Sequence, residues 1–294
     1  MASEGPCVYM EILQTAAGLQ ARTEGWRQNG QRIGLVPTMG ALHEGHLQLV
    51  RAAARENDVV VVSIFVNPTQ FNNPEDFRLY PRLPEADATL LQDTGCTVLF
   101  APSVEEMYPQ PTVMRFDFGP LEQVMEGAHR PGHFNGVATV VSKLFHLSRP
   151  HRAYFGQKDL QQVAVIRQMV ADLSFDLQPV TFPTVREADG LAMSSRNRRL
   201  SPEARAVAPR LYQALELASR LLQQQATAAE VQQQVQAFLQ QHPEIELEYF
   251  DISNARTLQP LENETAPAGQ EVALCLAAWL GGVRLIDNVV VNLA

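Results

Sequence analysis

The chain has 294 residues, of which 46% are hydrophobic and 19% are charged, and its formal net charge at pH 7 is -9. These proportions are typical of a globular protein and exclude a disordered or fibrous chain. The negative net charge argues against broad electrostatic binding to nucleic acid or to anionic lipid, so we expect neither as a partner. A chain of this length predicts one large domain with a smaller one appended.

The cysteines and the amino-terminal residues favour a reducing compartment. Cys7, Cys96 and Cys275 are odd in number and far apart, and no spacing among them suggests a disulfide framework or a zinc site. The start of the chain lacks a basic region followed by an apolar stretch, and no segment reaches ~18 uninterrupted apolar residues. We therefore expect a cytoplasmic protein that has no membrane partner.

The first two thirds of the chain alternate short apolar runs with helical patterns. Ile33–Val36 is predicted to form a strand that ends at Pro37, followed by a turn at Gly40 and a helix over His46–Glu56. Val59–Val66 is almost wholly apolar and β-branched, which predicts a central strand covered by helices on both faces. Further predicted elements are strands over Thr97–Phe100 and Ala153–Phe155 and helices over Gly136–Leu147 and Leu160–Leu173. The alternation predicts an α/β fold with a Rossmann-like, doubly wound parallel sheet.

The last third of the chain differs in character and predicts a second, smaller α+β domain. The change comes near Val185, so we predict domains over residues 1–185 and 186–294. A serine–proline pair opens a helix that runs towards Gln225, and Pro209 should kink or split this helix. The elements predicted to follow are a helix with a capping box at Thr227–Glu230, a strand over Glu244–Phe250, and a hairpin of Val272–Leu280 and Val283–Val291 around Gly281-Gly282.

The most informative motif, Pro37-Thr-Met-Gly-Ala-Leu-His43-Glu-Gly-His46, lies between a predicted strand and a predicted helix. The start of a helix offers unpaired N–H groups and a positive dipole end, which favour an anion. Gly40 and Gly45 have the spacing of P-loop glycines, but His46 follows them instead of lysine, which excludes a Walker A motif. His43 and His46 would project to one side and donate to a polyphosphate. The alternatives are a pair of metal ligands or ordinary capping residues.

The second motif, Phe65–Phe71, ends the long apolar strand. It places Asn67 and Gln70 beyond the carboxyl end of a parallel strand, where ligands bind in open α/β sheets. Neutral amides suit a polyhydroxylated acid. The alternative is an ordinary Asn-Pro turn without a ligand.

The third motif, Gly156–Gln162, follows a short strand and opens a helix. Lys158 can balance phosphate charge, Asp159 can accept hydrogen bonds from ribose hydroxyls, and Gln162 lies one turn further on. The alternative is a helix start with mixed charges.

The fourth motif, Met193–Asn197, follows an Asp-Gly turn. It places two hydroxyls and the guanidinium of Arg196 in one loop, a combination that suits a mobile phosphate clamp. The alternative is a serine-rich loop of no particular function.

Two resemblances connect these motifs. H-x-G-H after a strand and a glycine turn is similar to the signature of the nucleotidylyl-transferring superfamily that includes class I aminoacyl-tRNA synthetases. The four motifs together, in sequence, order and separation, closely resemble the pantothenate synthetase family. The resemblance spans Val36–Leu200 and includes Glu75–Arg82 and His129–Lys143. Gln157 departs from it, because we expect glutamate there in many relatives.

The family resemblance implies an activity. It implies ATP-dependent condensation of (R)-pantoate with β-alanine, through a pantoyl adenylate, to give pantothenate, AMP and pyrophosphate, in pantothenate and coenzyme A biosynthesis. It also implies ATP as co-substrate, Mg²⁺, a homodimer, and a smaller domain that covers the active site. The rival enzyme is a nucleotidylyltransferase whose product keeps the nucleotide. A rival from another class is a nucleotide-sensing module without turnover.

The resemblance also assigns site residues. The catalytic residues that it implies are His43, His46, Lys158 and Arg196, with His46 as proton donor and His43 as a phosphate contact. The ATP contacts that it implies are Met39, Gly40, Ala41, Leu42, His43, Glu44, Gly45, His46, Gly156, Gln157, Lys158, Asp159, Val185, Met193, Ser194, Ser195 and Arg196. Gln70 and Gln162 match the pantoate-binding glutamines, and Gln70 should also border the β-alanine site.

Overall fold

The computed structural model describes residues 10–261 and 269–293. Cys7 and the first nine residues, on which part of the cytoplasmic prediction rests, lie outside the described residues. The chain divides into two compact units. The first unit takes in the described residues of Met1–Asp117, Gly132–Gly156 and Val165–Phe182, and the second those of Phe118–Pro131, Gln157–Ala164 and Pro183–Ala294. The domain boundary between residues 185 and 186 stays a prediction.

A parallel sheet of six strands forms the centre of the first unit as described. Its strands are β1 (Glu11–Leu13), β2 (Ile33–Thr38), β3 (Val59–Ile64), β4 (Val98–Phe100), β5 (Arg152–Gly156) and β6 (Gln178–Phe182). Their order across the sheet is β1-β4-β3-β2-β5-β6, and every neighbouring pair is parallel. The central strand β3 is buried over Val59–Ser63, as expected of a strand covered on both faces. The predicted α/β fold with a doubly wound parallel sheet is therefore confirmed.

Helices connect these strands and make up much of the second unit. In chain order they are α1 (Ala16–Gln28), α2 (Glu44–Glu56), α3 (Pro74–Leu79), α4 (Pro84–Leu91), α5 (Val104–Met107), α6 (Met125–His129), α7 (His133–Ser148), α8 (Leu160–Asp172), α9 (Pro202–Val207), α10 (Arg210–Gln223) and α11 (Ala228–Gln240). Within residues 10–261 and 269–293, no helix is long and apolar enough to cross a membrane.

The edges of the parallel sheet differ from the sequence prediction. β2 does not end before Pro37 but continues to Thr38, because its pairing with β3 extends that far while its pairing with β5 stops at Leu35. Proline is tolerated where one side of a strand is unpaired. The edge strands β1 and β6 were not predicted. β1 is only three residues long, and β6 contains Pro179, which lowers its strand signal.

The second unit is α+β, as predicted. Its antiparallel strands are β7 (Ile245–Asn254), β8 (Glu271–Leu280) and β9 (Val283–Asn292), in that order across the sheet. Gly281 and Gly282 both have positive φ, which confirms the predicted hairpin turn. α9 ends and α10 begins around Pro209, so the predicted split of this helix is also confirmed. Thr227 and Glu230 form the capping box predicted for α11.

The two cysteines within the described ranges are buried free thiols. Cys96 packs in the core of the first unit with Val60 and Leu99, and Cys275 packs on β8 in the second unit. Burial raises the pKa of Cys96 to about 12 and raises the pKa of Cys275 as well. Both thiols are therefore protonated at neutral pH and act as small apolar side chains.

Candidate active site

The strand order of the first unit creates one position suited to a ligand. β2 pairs with β3 on one side and with β5 on the other, so the direction of winding reverses between β2 and β5. In open α/β sheets, ligands bind beyond the carboxyl ends of the strands at such a reversal. The first motif follows β2 directly along the chain, and the third motif begins at Gly156, the last residue of β5. Both motifs therefore start where this fold class binds its ligands.

The turn between β2 and α2 is held by a buried carboxylate. Asp87 of α4 accepts hydrogen bonds from the N–H of Ala41 at 2.8 Å and from the N–H of Leu42 at 2.7 Å. Gly40 has a φ of +79°, and a Cβ there would come within 2.9 Å of the Asp87 carboxylate. A side chain at this position would be strained by its backbone and would crowd the carboxylate. Asp87 and Gly40 together fix the path of the chain into α2.

This arrangement limits which backbone groups of the motif can meet an anion. The N–H groups of Ala41 and Leu42 already donate to Asp87, so an ATP contact at these two residues would need other atoms. α2 begins at Glu44, and the first N–H groups of a helix have no acceptor within it. The N–H groups of Glu44 and Gly45, together with the positive end of the helix dipole, are the backbone groups best suited to phosphate.

The histidines of the motif lie side by side at the start of α2. Their ring centroids are 4.0 Å apart, which confirms the prediction that His43 and His46 project to one side. Nδ1 of His46 accepts a long hydrogen bond, 3.4 Å, from the N–H of His43. The neutral ring of His46 therefore carries its proton on Nε2, which can donate to a ligand. His46 thus contributes to capping, one of the alternatives raised above.

The metal-ligand alternative needs more donors than this pair supplies. Throughout the part of the chain that the structure describes, no group of three or more His, Cys, Asp or Glu side chains could hold a metal ion. Structural zinc sites use four protein ligands and catalytic ones use three.

Asn67, in the turn after β3, is committed to protein contacts. Its Nδ2 donates to Oε1 of Gln70 at 3.0 Å and to the carbonyl of Gly136 at 3.1 Å. Its Oδ1 accepts from the hydroxyls of Tyr108 and Thr69 at 2.8 and 2.9 Å. The side chain is 1% exposed. The Asn67 amide therefore stabilises the turn in this structure, and the expectation that it also meets a ligand stays a prediction.

Gln70 differs from Asn67 because its side-chain amide nitrogen donates to a sulfur atom, which is a weak acceptor. Its Nε2 donates to Sδ of Met39 at 3.0 Å, so the structure brings these two predicted site residues together. A thioether sulfur is a weak acceptor, and a hydroxyl or carboxylate oxygen could replace it at small cost. The backbone carbonyl of Gln70 is held by a hydrogen bond of 2.7 Å with Nδ1 of His133. Gly136 allows this packing, because a Cβ there would lie 2.3 Å from the Thr69 carbonyl.

The remaining predicted site residues belong to the second unit. Gln157–Asp159 forms one turn of 3-10 helix in which Lys158 is half-buried and Asp159 is exposed. Gln162, on α8, is half-buried. Nδ2 of Asn288, on β9, donates to the carbonyls of Gln157 at 2.9 Å and Lys158 at 2.8 Å. A strand far away in the sequence therefore fixes the backbone of the third motif.

The segment from Val185 to the fourth motif folds back on itself. The N–H of Met193 donates to the carbonyl of Val185 at 2.9 Å, so these two predicted ATP contacts are adjacent. Ser194 then caps a 3-10 turn over Ser195–Arg199, and its hydroxyl accepts from the N–H of Arg196 at 3.2 Å. The Ser194 hydroxyl is thus engaged as an acceptor while its proton can still be donated.

Arg186 fixes this folded-back segment to the sheet of the second unit. Its guanidinium makes two hydrogen bonds, 2.6 and 3.0 Å, to the carboxylate of Asp287, and it lies 3.8 Å from the centre of the Tyr212 ring. Burial raises the pKa of Asp287, and the hydrogen bond and charge of Arg186 oppose that rise. Such a bidentate pair provides both geometric specificity and charge compensation.

The structure thus assigns the predicted site residues to two groups. Those of the first unit are Met39–His46, Gln70 and Gly156, and those of the second unit are Gln157–Asp159, Gln162, Val185 and Met193–Arg196. Sequence reasoning missed Asp87, Asp287 and Asn288. Asp287 and Asn288 are two adjacent polar residues within a largely apolar run, and this pattern in the sequence could have identified them. In the structure both are buried. Asp87 had no local signal, since its partners lie 45 and 46 residues away.

Comparison with known proteins assigns the chain to a family. The family model described as pantoate-beta-alanine ligase matches residues 11–290. A pantothenate synthetase of Moorella thermoacetica is 53% identical over 284 residues, which cover 96% of this chain and 99% of the relative.

Two solved structures are similar over nearly their full length. The crystal structure of pantothenate synthetase from Thermus thermophilus is 48% identical with a TM-score of 0.88 and covers 95% of this chain and 99% of that chain. The crystal structure of pantoate-beta-alanine ligase from Francisella tularensis, complexed with beta-gamma ATP and beta-alanine, is 36% identical with a TM-score of 0.79, and the coverage is 96% and 97%. The chain therefore belongs to the pantoate-beta-alanine ligase family.

Proposed function

We propose that this chain condenses (R)-pantoate with β-alanine at the expense of ATP, by way of a pantoyl adenylate, and releases AMP and pyrophosphate. The paired imidazoles at the start of α2, beyond the carboxyl end of β2, carry this proposal. The N–H groups at the start of the same helix add further donors for phosphate. The chain also belongs to the pantoate-beta-alanine ligase family. The relative from Francisella tularensis was crystallised with beta-gamma ATP and beta-alanine, which supports a site for both ligands.

In the first step the pantoate carboxylate attacks the α-phosphorus of ATP. A bond forms between the carboxylate oxygen and the α-phosphorus, the bond from that phosphorus to the bridging oxygen breaks, and pyrophosphate leaves with the electron pair. His43, His46, Lys158 and Arg196 stabilise the negative charge that develops on pyrophosphate. His46 donates from Nε2, the nitrogen that carries its proton when Nδ1 accepts from His43. Gln70 and Gln162 hold pantoate.

In the second step the unprotonated amine of β-alanine attacks the acyl carbon of the adenylate. The new amide bond forms, the bond from the acyl carbon to the phosphate oxygen breaks, AMP leaves, and the nitrogen loses a proton. No covalent bond to the protein is needed. Because the mixed anhydride is labile in water, the Met193–Arg196 loop and the C-terminal domain are proposed to cover it.

Magnesium would enter with the nucleotide. The donors that Mg²⁺ prefers are oxygens, and it usually binds through one or two carboxylates together with substrate phosphates. Across residues 10–261 and 269–293 no acidic cluster of three or more ligands exists, which fits an ion that ATP itself carries. When bound, the ion would neutralise phosphate charge. A homodimer and a cytoplasmic location remain proposals that rest on the family resemblance and on the composition.

Pyrophosphate exchange tests the order of the two steps. With Mg²⁺, ATP and labelled pyrophosphate present, we expect pantoate alone to drive label into ATP, because bound pantoyl adenylate can be reversed by pyrophosphate. β-Alanine alone should give no exchange, since the amine enters only after the adenylate has formed. The measurement is the rate of label incorporation with each acid separately. The full reaction, with AMP and pantothenate quantified together, is run beside it.

Each outcome of the exchange experiment separates the alternatives. A nucleotidylyltransferase would leave a stable nucleotidylated product and no free AMP, and a nucleotide-sensing module would show no turnover at all. If the protein makes pantothenate but shows no pantoate-dependent exchange while it demonstrably binds pyrophosphate, the adenylate route is refuted. The condensation itself would then still stand.

A second test concerns Gln70. We expect Gln70→Ala to raise the KM for pantoate about 10-fold while the KM for ATP changes less than about 2-fold, because one lost hydrogen bond to a charged ligand costs ~1.5 kcal/mol. Steady-state kinetics with each substrate varied in turn provide the measurement. Gln28→Ala is the control, since Gln28 is an exposed glutamine of the same unit that donates to Glu24. Equal increases in both KM values would place Gln70 outside the pantoate pocket.

A further inference from the structure

Two adjacent residues in the middle of β9 are polar and almost completely buried. Asp287 is 4% exposed and Asn288 is 3% exposed, although β9 is otherwise largely apolar. Burying polar groups in a strand is costly unless each finds a partner, so their hydrogen bonds indicate what they do. We call these two residues the β9 polar pair.

Asn288 binds the backbone of the Gln157–Asp159 turn. Both hydrogens of its amide nitrogen are used, one for the Gln157 carbonyl at 2.9 Å and one for the Lys158 carbonyl at 2.8 Å. Asn288 is at least 130 residues away from Gln157 and Lys158 in the sequence, so these hydrogen bonds are long-range tertiary contacts. A single carboxamide thus holds two successive carbonyls of a turn that has no regular strand partner.

Asp287 fixes a different segment, and it does so through Arg186. Arg186 donates to both carboxylate oxygens of Asp287 and also to the carbonyl of Asn288 at 3.2 Å. The same guanidinium donates to the carbonyl of Gly190 at 3.1 Å, inside the segment whose ends are joined by the hydrogen bond from the Met193 N–H to the Val185 carbonyl. The β9 polar pair therefore contacts two separate segments, residues 157–158 directly and residues 185–193 through Arg186.

We propose that Asn288 is a positioning residue that fixes Lys158 for the nucleotide, and that the β9 polar pair sets the separation between the 157–159 turn and the 185–193 segment. This inference rests on the proposed function, in which both segments contact ATP. It deepens that function, because it names residues that contact no substrate and yet determine nucleotide affinity. The physical reason is preorganisation: charge stabilisation requires a donor that is already in place when the ligand arrives.

Loss of the Asn288 amide should act on the turn and not on the sheet. The strand hydrogen bonds of β9 to β8 are made by the backbone, and they remain when the side chain is shortened. The carbonyls of Gln157 and Lys158 would lose their side-chain donor, so the turn would sample other conformations. The Lys158 ammonium would then spend less time in the position that phosphate needs.

The first test compares nucleotide affinity in two variants. We expect Asn288→Ala to raise the dissociation constant for a non-hydrolysable ATP analogue about 10-fold, measured by calorimetry on the full chain. Asn254→Ala is the matched control, because the Asn254 side chain also makes two backbone hydrogen bonds, both 2.9 Å, to Arg256 and Thr257 of a turn outside the proposed site. The control should bind the analogue as wild type does. A purely structural role for Asn288 predicts equal behaviour of the two variants.

The second test is a double-mutant cycle with Lys158. If Asn288 acts through Lys158, Asn288→Ala should weaken analogue binding about 10-fold in the wild-type background but less than about 2-fold when Lys158→Met is already present. Additive effects would overturn the inference. Failure of the wild-type protein to bind the analogue would instead count against the proposed function, so the two failures are distinguishable.

Hydrogen exchange measures the turn directly and without activity. Amides of residues 157–162 should exchange about 10-fold faster in Asn288→Ala than in wild type, while those of β8 and β9 keep their rates. Should Asn288→Ala not fold, Asn288→Ser, which leaves a shorter side chain with one donor, goes through the same three measurements. Unchanged exchange in the 157–162 segment of either folded variant would refute the positioning role.

Discussion

His46→Ala is expected to lower the rate of adenylate formation by about 10²- to 10³-fold while the protein stays folded. A preorganised donor aimed at developing charge is worth about 2.7–4 kcal/mol to the transition state. The contribution of the His46 side chain to folding is smaller. The 3.4 Å hydrogen bond from the His43 N–H to Nδ1 of His46 resembles a capping interaction, which contributes about 1 kcal/mol. The measurements are pantoate-dependent pyrophosphate exchange and the free energy of unfolding in denaturant. A large kinetic effect with a small effect on stability is the expected signature.

Two further variants sharpen the assignment of His46. His146→Ala is the control, because His146 is an exposed histidine of the same unit whose ring contacts Phe175 at 5.2 Å, and its exchange rate should match wild type. His46→Gln places an amide N–H near the position of Nε2 but can neither carry charge nor transfer a proton. Substantial activity in His46→Gln would restrict His46 to hydrogen bonding. Near-normal exchange in folded His46→Ala would remove it from the catalytic residues altogether.

The sequence was most informative where secondary structure and local chemistry agree. The apolar run of β3, the double glycine before β9 and the capping box of α11 each depend on neighbours within a few residues, and each formed as predicted. The same holds for the histidine pair, whose spacing of three residues is enough to bring the two rings together at a helix start.

The features that could not be predicted depend on contacts between distant residues. Asp87 holds the β2–α2 turn, and Asn288 holds the turn after β5, but in each case the partner lies at least 45 residues away. The partners of Asn67 could not be predicted for the same reason. Its position at the end of β3 was predicted correctly, but its commitment to Gly136 and Tyr108 follows only from tertiary packing. A motif therefore identifies a candidate side chain, and only the fold shows whether its polar groups are available.

A partly buried ion pair in the second unit leads to the second large prediction. Arg284 of β9 makes two hydrogen bonds, 2.8 and 2.7 Å, to the carboxylate of Glu126 on α6, and it also donates to Glu248 at 2.9 Å. Glu248 lies at the irregularity where the pairing of β7 with β8 shifts register. Burial tends to raise the pKa of Glu126, but the hydrogen bonds and charge of Arg284, with help from Arg130 and Tyr249, lower it to about 2.

Arg284→Met is expected to destabilise the second unit by about 3–5 kcal/mol at pH 7. Removing Arg284 takes away the bidentate partner of the buried Glu126, which keeps only the longer contact of 3.5 Å with Arg130, and it also takes away the guanidinium that donates to Glu248. Unfolding can be followed by fluorescence of Trp279, whose indole N–H donates to Glu248 at 3.0 Å, in a Trp26→Phe background. Arg22→Met is the control, because Arg22 forms an ion pair with Glu11 in which both side chains are exposed, and it should unfold as wild type does.

The pH dependence separates a charge effect from a packing effect in Arg284→Met. In the wild-type protein the folded pKa of Glu126, about 2, lies below its ordinary value of 4.5, so its stabilising contribution is present above pH 4.5 and is lost as the pH falls towards 2. In the variant, burial without the guanidinium should raise the pKa of Glu126, which can then take up a proton and relieve the unpaired charge. The difference in unfolding free energy between wild type and variant should therefore shrink as the pH falls from 7 to about 4. A difference that stays constant over this range would refute the charge effect and would leave only packing contacts of Arg284 that methionine does not reproduce.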